Sequence, residues 1–429
     1  MDARPGPGRL PALTRMVGDI APQFGAEFWA TKPYLNEAGA GEASRFADLF
    51  TAEAVDELVS ERGLRTPFMR MATEGSVLKP AAYTAPGGFG AEVADQVSSE
   101  KVLAEFAAGA TIVLQGLHRT WPALVDFTRA LTDDLGHPAQ VNAYITPASN
   151  RGFDPHYDVH DVFVLQISGE KHWRIHEPVH EAPLRDQPWS DHRAAVAARA
   201  TGAPYIDHVL SPGDALYLPR GWIHSAEALG GTTVHLTIGV AAYTRADVAA
   251  SLLNVIGETE ALRTSLPLGL DFDDPAEMGP IVSEVLAALQ TALAVRDERA
   301  AASRQVERVG AALSRRLAAD VRPEPVSPLA TVEALATLDA ATVVRWRRSQ
   351  RARLEQVPGD AGDGPAASAD SVRIVAGAKR LSLPAEATTA LERLVTGEPI
   401  AVGDLPGLDP DSAVVVARRL LREGVVVPA

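Results

Sequence analysis

Between residues 139 and 243 the chain breaks into short alternating or apolar runs: QVNAYIT, DVFVLQI, KHWRIH, ALYLP and TTVHLTIGV. Gly, Pro and Asp stand between them. Closely spaced short strands with turn residues at their ends fold into an all-β sandwich or barrel. The Ser-Gly-Glu of ISGEKHW predicts a hairpin between DVFVLQI and KHWRIH. Helical patterns flank this stretch. TAEAVDELVSERG (51–63) has a Thr cap, acidic residues in its first turn and a terminal Gly. Residues 102–136 read as a helix, a short apolar strand at Thr111–Leu114 and an amphipathic helix. From Thr244 the strand signal stops, and three segments up to 356 carry helical periodicity. VPGDAGDGPAASADS (357–371) reads as a linker, and 372–429 as strand, helix, helix and an apolar end.

All 11 histidines lie between His118 and His235, which places the chemistry in the β region. The chain has no cysteine, so disulfides and thiolate metal sites are excluded and any metal must take imidazole and oxygen ligands. A net charge of -15 argues against a surface that coats nucleic acid. Neither a signal-peptide-like start nor an apolar run of about 18 residues is present, so a cytoplasmic protein without a membrane span is expected.

Side chains two apart on a strand share a face, so His156 and Asp158 of HYD present an imidazole and a carboxylate together, with Tyr157 opposite. Alone, H-x-D is a weak signal that a surface turn would also produce. GDALYLPRGWIH (213–224) is far more specific, because G-x5-P-x-G-x2-H is similar to the second motif of the cupin superfamily and delivers His224. Two histidines and a carboxylate make the facial triad of a non-haem Fe(II) oxygenase, with three open positions. His160 shares the strand parity and could compete, although an extended strand would carry it away from His156 at about 3.3 Å per residue. His172 and His176 face away from Lys171, Trp173 and Ile175, and read as solvent-side or packing residues. His118, His137, His180, His192 and His208 read as helix or loop bystanders. Trp173 and Ile175 belong inside the barrel, which draws Lys171 in as well. A buried lysine needs an anionic partner, and a carboxylate-bearing ligand would serve; snorkelling at the strand end is the alternative.

NAYITP (142–147), HYDVHDVFVLQISGEKHW (156–173) and LPRGWIHSA (218–226) resemble the JmjC-type oxygenases of the bacterial and human ribosomal oxygenase group. FWATKPYL (28–35) and LRTSLPLG (262–269) are similar to that group's flanking segments. The resemblance implies an α+β chain built on a double-stranded β-helix, the jelly roll of cupins. The order would be an oxygenase domain over 1–243 with its β core from about 110, a helical dimerisation region over 244–356, and a winged-helix-like domain over 372–429. It also implies a protein hydroxylase that uses Fe(II), 2-oxoglutarate and O2. His156, Asp158 and His224 match the iron ligands, and Lys171 the residue that binds the distal carboxylate of 2-oxoglutarate. Tyr144 and Asn142 match residues lining the co-substrate pocket, and strand alternation adds His235 and Thr237. The implied partners are a ribosomal protein as substrate and a second copy of the chain. The insertion over 180–205 lies where substrate selectivity would reside. A precursor peptide of a natural product, or a small molecule, is an alternative substrate. A metabolite-sensing DNA-binding regulator is a reading of another class; RRSQRAR (347–353) favours it, but the few arginines of DSAVVVARRLLRE make direct nucleic-acid binding a poor fit.

Overall fold

The computed structural model describes residues 10–429 except 74, 91, 149–153, 294–298, 360–369 and 378, and only the backbone of 293 and 299–304. The chain divides between Ala242 and Tyr243 into two compact units.

The first unit is built on one antiparallel sheet of nine strands. In chain order these are β1 (Tyr34–Asn36), β2 (Met69–Thr73), β3 (Ser76–Val77), β4 (Thr111–Leu114), β5 (Ala139–Thr146), β6 (Asp161–His176), β7 (Ile206–Leu210), β8 (Ala215–Leu218) and β9 (Ile223–Val240). β6 and β9 are long because each serves two layers. Residues 234–240 of β9 lie between β5 and the first half of β6, whose other edge pairs with β8. Residues 223–229 of β9 lie between His156 and the second half of β6, whose other edge pairs with β7. The register shifts where both strands pass from one layer to the other, between Leu229 and Val234. This antiparallel arrangement agrees with the barrel read from the short-strand pattern and is consistent with the jelly roll that the resemblance implies.

The expected hairpin within 161–176 does not form. DVFVLQI and KHWRIH are the two halves of β6, and neither pairs with the other. Gly169, at a φ of +65°, pivots the strand instead of reversing it, and a Cβ there would lie 2.4 Å from the Thr232 carbonyl oxygen. A turn signature therefore marks a bend, since both flanking segments find longer partners than each other.

Helices close one side of the barrel. Thr51 caps the helix Ala52–Ser60 by accepting the Ala54 N–H at 3.2 Å, as its sequence predicts. The helix Pro122–Leu135 buries Leu124, Phe127 and Leu131, spaced for one helical face. It holds the N-terminal helix Pro11–Val17 through the Asp134 carboxylate, which accepts the Ala12 and Leu13 amides at 2.8 and 2.9 Å.

The second unit opens with helices Arg245–Ile256, Pro275–Leu293, Arg299–Asp320 and Pro328–Ala336. The helical reading of 331–356 holds only to Ala336. Val343–Trp346 and Arg353–Val357 are strands, and TVVRW alternates so that Val344 and Trp346 are buried while Val343 is exposed. The segment expected to link domains instead joins two strands of one sheet, because Val357 is paired with Ser371. Most of that segment lies outside the described residues. Ser371–Ala376 pairs onward with Lys379–Pro384, and helices Thr388–Val395 and Pro410–Arg422 pack over a core with Leu391, Val402, Leu420 and Trp346. Among the described residues, no helix is long and apolar enough to cross a membrane.

Candidate metal and co-substrate site

His156 and His224 face one another across a single antiparallel rung. The His156 N–H donates to the His224 carbonyl at 3.2 Å, and the His224 N–H returns a bond to His156 at 2.8 Å. Residues that exchange both bonds stand directly opposite, so their rings come to 4.4 Å between centroids. Asp158 follows within a non-strand turn, where its carbonyl accepts the Gly221 N–H at 3.0 Å. That bond ties the HYD segment to the P-R-G bend that precedes His224. One ligand atom from each of His156, Asp158 and His224 lies within 4.8 Å of the others.

Backbone carbonyls fix the imidazoles. His156 Nδ1 lies 2.7 Å from the Asp154 carbonyl oxygen, and His224 Nδ1 lies 3.1 Å from that of Trp222. A carbonyl can only accept, so both Nδ1 atoms carry a proton and Nε2 is the nitrogen each ring can offer to a metal. Burial, followed by the neighbouring His156, pushes His224 down to about 4, so its ring is neutral. Burial alone would raise the Asp158 carboxyl, but His160, His224 and His156 together hold it below its ordinary value. A neutral His224 imidazole and an ionised Asp158 carboxylate are protonation states a metal requires.

The triad opens into a cavity of about 270 Å³ walled by both layers. Lys171 reaches it from the second half of β6. It is 4% exposed, with Trp173 at 6% and Ile175 at 0%, so the three do share the inner face. Its Nζ donates to Thr146 Oγ1 at 3.2 Å and lies 5.9 Å from the Trp173 ring centroid. No carboxylate pairs with it among the described residues, and burial alone pushes its ammonium down to about 7. Tyr144, His235 and Thr237 also line the cavity. His235 stacks flat on Tyr144, 5.2 Å between centroids, and meets Trp173 edge-on at 5.5 Å. Burial first, then the Lys171 charge, keep His235 neutral, and its Nδ1 has no hydrogen-bond partner.

Asn142 departs from its expected place in the cavity wall. It shares the face of Tyr144 on β5 and stands opposite Thr237 on β9, but its Oδ1 accepts the Gly116 N–H at 3.1 Å. His160 is not part of the cluster. Residues 157–160 are not a strand, so the extended spacing does not apply; the ring instead lies against Gly239, where a Cβ would come within 2.5 Å of it. His176 is buried and His172 pairs with the Asp207 carboxylate, consistent with their outward parity. His208, expected in a helix or loop, sits in β7, 3.5 Å from Glu37. The insertion packs beside the metal-facing side of the barrel: Tyr157 Oη donates to the Gln187 carbonyl at 3.1 Å, and the Trp189 ring stands 6.1 Å from that of His156.

Thr146 and Arg70 are among the cavity residues that sequence reasoning missed. Thr146 ends the NAYIT strand on the parity of Tyr144, a signal that was available. Arg70 stands in MRMAT between Met69 and Met71, which are 1% and 0% exposed, so alternation alone turns it toward the cavity.

Residues 124–248 match the JmjC domain family. The chain is 35% identical over 168 residues to Ribosomal oxygenase 2 of Mus musculus, covering 37% of this chain and 34% of that protein. It is 40% identical over 116 residues to Ribosomal oxygenase 1 of Homo sapiens, covering 26% of this chain and 17% of that protein. The chain thus spans about a third or less of the curated relatives it matches. The solved structure of E. coli ycfD superposes on 94% of this chain and 97% of its own with a TM-score of 0.51 at 17% identity, a likeness of fold.

Proposed function

The chain carries a JmjC domain, and from that premise we propose that it is an Fe(II)- and 2-oxoglutarate-dependent oxygenase that hydroxylates a side chain of a ribosomal protein. The observation that carries the reading is the convergence of ligand atoms from two imidazoles and a carboxylate within 4.8 Å, beside a buried lysine that has no carboxylate partner among the described residues. The donor set suits iron, with no sulfur and three coordination positions left open. His156, Asp158 and His224 would hold the metal. Lys171 and Thr146 would hold the distal carboxylate of 2-oxoglutarate, against a wall formed by Tyr144, His235 and Thr237.

Bound iron and co-substrate supply the oxidising power: O2 and 2-oxoglutarate become succinate and CO2, and one oxygen atom enters a substrate C–H bond. The protein's own residues position and protect. The Asp154 and Trp222 carbonyls keep each Nδ1 protonated, and the walls at Val162, Val164 and Trp173 exclude water. Neutral His235 keeps a second positive charge away from Lys171.

The names of the relatives support a ribosomal protein as substrate. So does the net charge of -15, which favours a basic polypeptide. Trp189 and Gln187 of the insertion border the metal side, where an extended chain would enter. A homodimer is part of the same proposal. Val282, Val285 and Leu286 form one stripe of the helix Pro275–Leu293 and are 49%, 40% and 54% exposed, an apolar face suited to a second copy. The hairpin and two helices from 371 to 422 support a winged-helix-like end. The test is to supply Fe(II), 2-oxoglutarate and ribosomal proteins from the chain's own host, then follow succinate release and a mass gain of one oxygen. Turnover with free amino acids or small metabolites alone would refute the substrate assignment.

A further inference from the structure

Arg70 is, beside Lys171, a second cavity cation whose charge has no carboxylate partner among the described residues. Its strand parity is strict: Met69 and Met71 enter the core, while Arg70 and Ala72 face the cavity. The register then aligns it in one row across the sheet. Arg70 is opposite Val113 on β4, Val113 opposite Tyr144 on β5, and Tyr144 opposite His235 on β9. Arg70 reaches along that row toward the Tyr144 hydroxyl, whose proton affinity it lowers.

Two facts indicate that this contact does not exhaust the guanidinium. Arg70 forms no ion pair with any described carboxylate, and its Nε is buried without a hydrogen-bond partner. A guanidinium offers five N–H groups in a planar fork, and one phenol oxygen cannot satisfy them. Leaving a buried charged donor unmatched is costly, so an oxygen acceptor from a ligand is the chemistry that completes the row.

The position says which acceptor. The Tyr144 ring stacks on His235, His235 meets Trp173, and Trp173 stands 6.1 Å from the His224 ring, so the Arg70–Tyr144 row lies toward the metal triad. Lys171 stands further along β6 than Trp173 from Ile175, the partner of His224, and bonds Thr146, so it serves a part of the cavity away from the triad. The cavity therefore has two cationic ends. A 2-keto acid that lends one carboxylate oxygen to a metal keeps a second oxygen in need of donors.

We propose that Arg70 is a co-substrate-binding residue whose guanidinium, braced on the Tyr144 hydroxyl, holds the keto-acid carboxylate of 2-oxoglutarate while Lys171 holds the other carboxylate. This rests on the oxygenase reading above. It makes Arg70 a selector for the shared 2-keto-acid head and Lys171 a selector for the distal acid.

Calorimetric titration of the full chain loaded with Mn(II) separates the two roles without turnover. The probes are 2-oxoglutarate and 2-oxobutyrate, which lacks the distal carboxylate. Arg70→Gln should weaken both acids by a similar factor, about tenfold or more. Lys171→Met should weaken only 2-oxoglutarate, and Arg70→Lys should recover part of the loss. Mn(II) affinity without co-substrate should be unchanged in Arg70→Gln, which also shows that the variant is folded. Unchanged binding of both acids by Arg70→Gln overturns the proposal and leaves the oxygenase reading standing. So does a parallel loss of Mn(II) binding that Arg70→Lys does not restore. Failure of the parent protein to bind 2-oxoglutarate overturns both.

Discussion

Replacing Lys171 by Met should make the ligand-free protein more stable while removing its co-substrate site. The lysine ammonium is buried with one hydroxyl partner and is pushed from 10.5 down to about 7 by burial. At about 1.4 kcal/mol per tenfold change in proton affinity, keeping that charge inside costs about 4 to 5 kcal/mol in order of magnitude. Methionine matches the length without the charge. Losing the Thr146 hydrogen bond returns about 0.5–1.5 kcal/mol, which leaves a net gain of about 3 kcal/mol or more. For a unit of this size that is about 6 to 12 °C in melting temperature. The sign of the pH dependence is distinctive. Between about 7 and 10.5 the unfolded chain binds a proton at Lys171 that the folded chain does not, so the parent gains stability as pH rises through this window. Below about 7 both states are protonated and the penalty is constant. The advantage of Lys171→Met should therefore be full at pH 7 and shrink toward pH 10.5. Urea unfolding followed by tryptophan fluorescence reads mainly this unit, since Trp29, Trp121, Trp173, Trp189 and Trp222 belong to it and Trp346 belongs to the other. A variant that is less stable than the parent at pH 7, or a difference equal at pH 7 and pH 10, would refute the reasoning.

The triad assignment requires that Asp158→Ala, His156→Ala and His224→Ala each abolish tight Mn(II) binding, while His160→Ala retains it; electron paramagnetic resonance of free Mn(II) measures the difference. Light scattering at micromolar concentration should give the mass of a dimer, and Val285→Asp on the exposed stripe of Pro275–Leu293 should shift it to a monomer. In the second unit, Glu324 accepts from both terminal nitrogens of Arg345 at 2.6 and 2.7 Å, and that contact, stronger than its burial, holds it at about 2. Glu324→Gln should cost about 1 to 3 kcal/mol near neutral pH. The carboxylate's contribution is present above its unfolded value of 4.5 and is lost as pH falls toward about 2, so the penalty should fade in acid denaturation curves.

The site was legible where chemistry is written in short spacings. P-R-G-W-I-H announces its bend and its ligand together, and strand alternation around Trp173 was enough to bring Lys171 indoors. Longer-range placements were not. Ser-Gly-Glu is the same tripeptide whether a strand reverses or merely bends, and only the availability of β7, β8 and β9 as partners decides between them. The arginines of 345–353 and the preceding alanines gave a helical composition that hid the alternation of Val344 and Trp346. Asn142 shared the parity of a cavity residue, yet the Gly116 amide had first claim on its side chain. Arg70 illustrates the reverse case: one charged residue in a short apolar strand carries little signal until the register sets it in one row with Val113 and Tyr144.

The rung that joins His156 to His224 has a thermodynamic corollary. Because the same two backbone hydrogen bonds close this edge of the barrel and set the separation of the imidazoles, folding the sheet prepares the metal site at no added conformational cost. Metal captured there cannot be retained once the rung opens, so fraying of this edge and metal release are one event. An ion present at about a hundred times its dissociation constant would then hold the edge shut by about 2.7 kcal/mol. The free metal concentration becomes a clasp on the mouth through which substrate must pass, and hydrogen exchange at the His156 and His224 amides should slow in proportion to it.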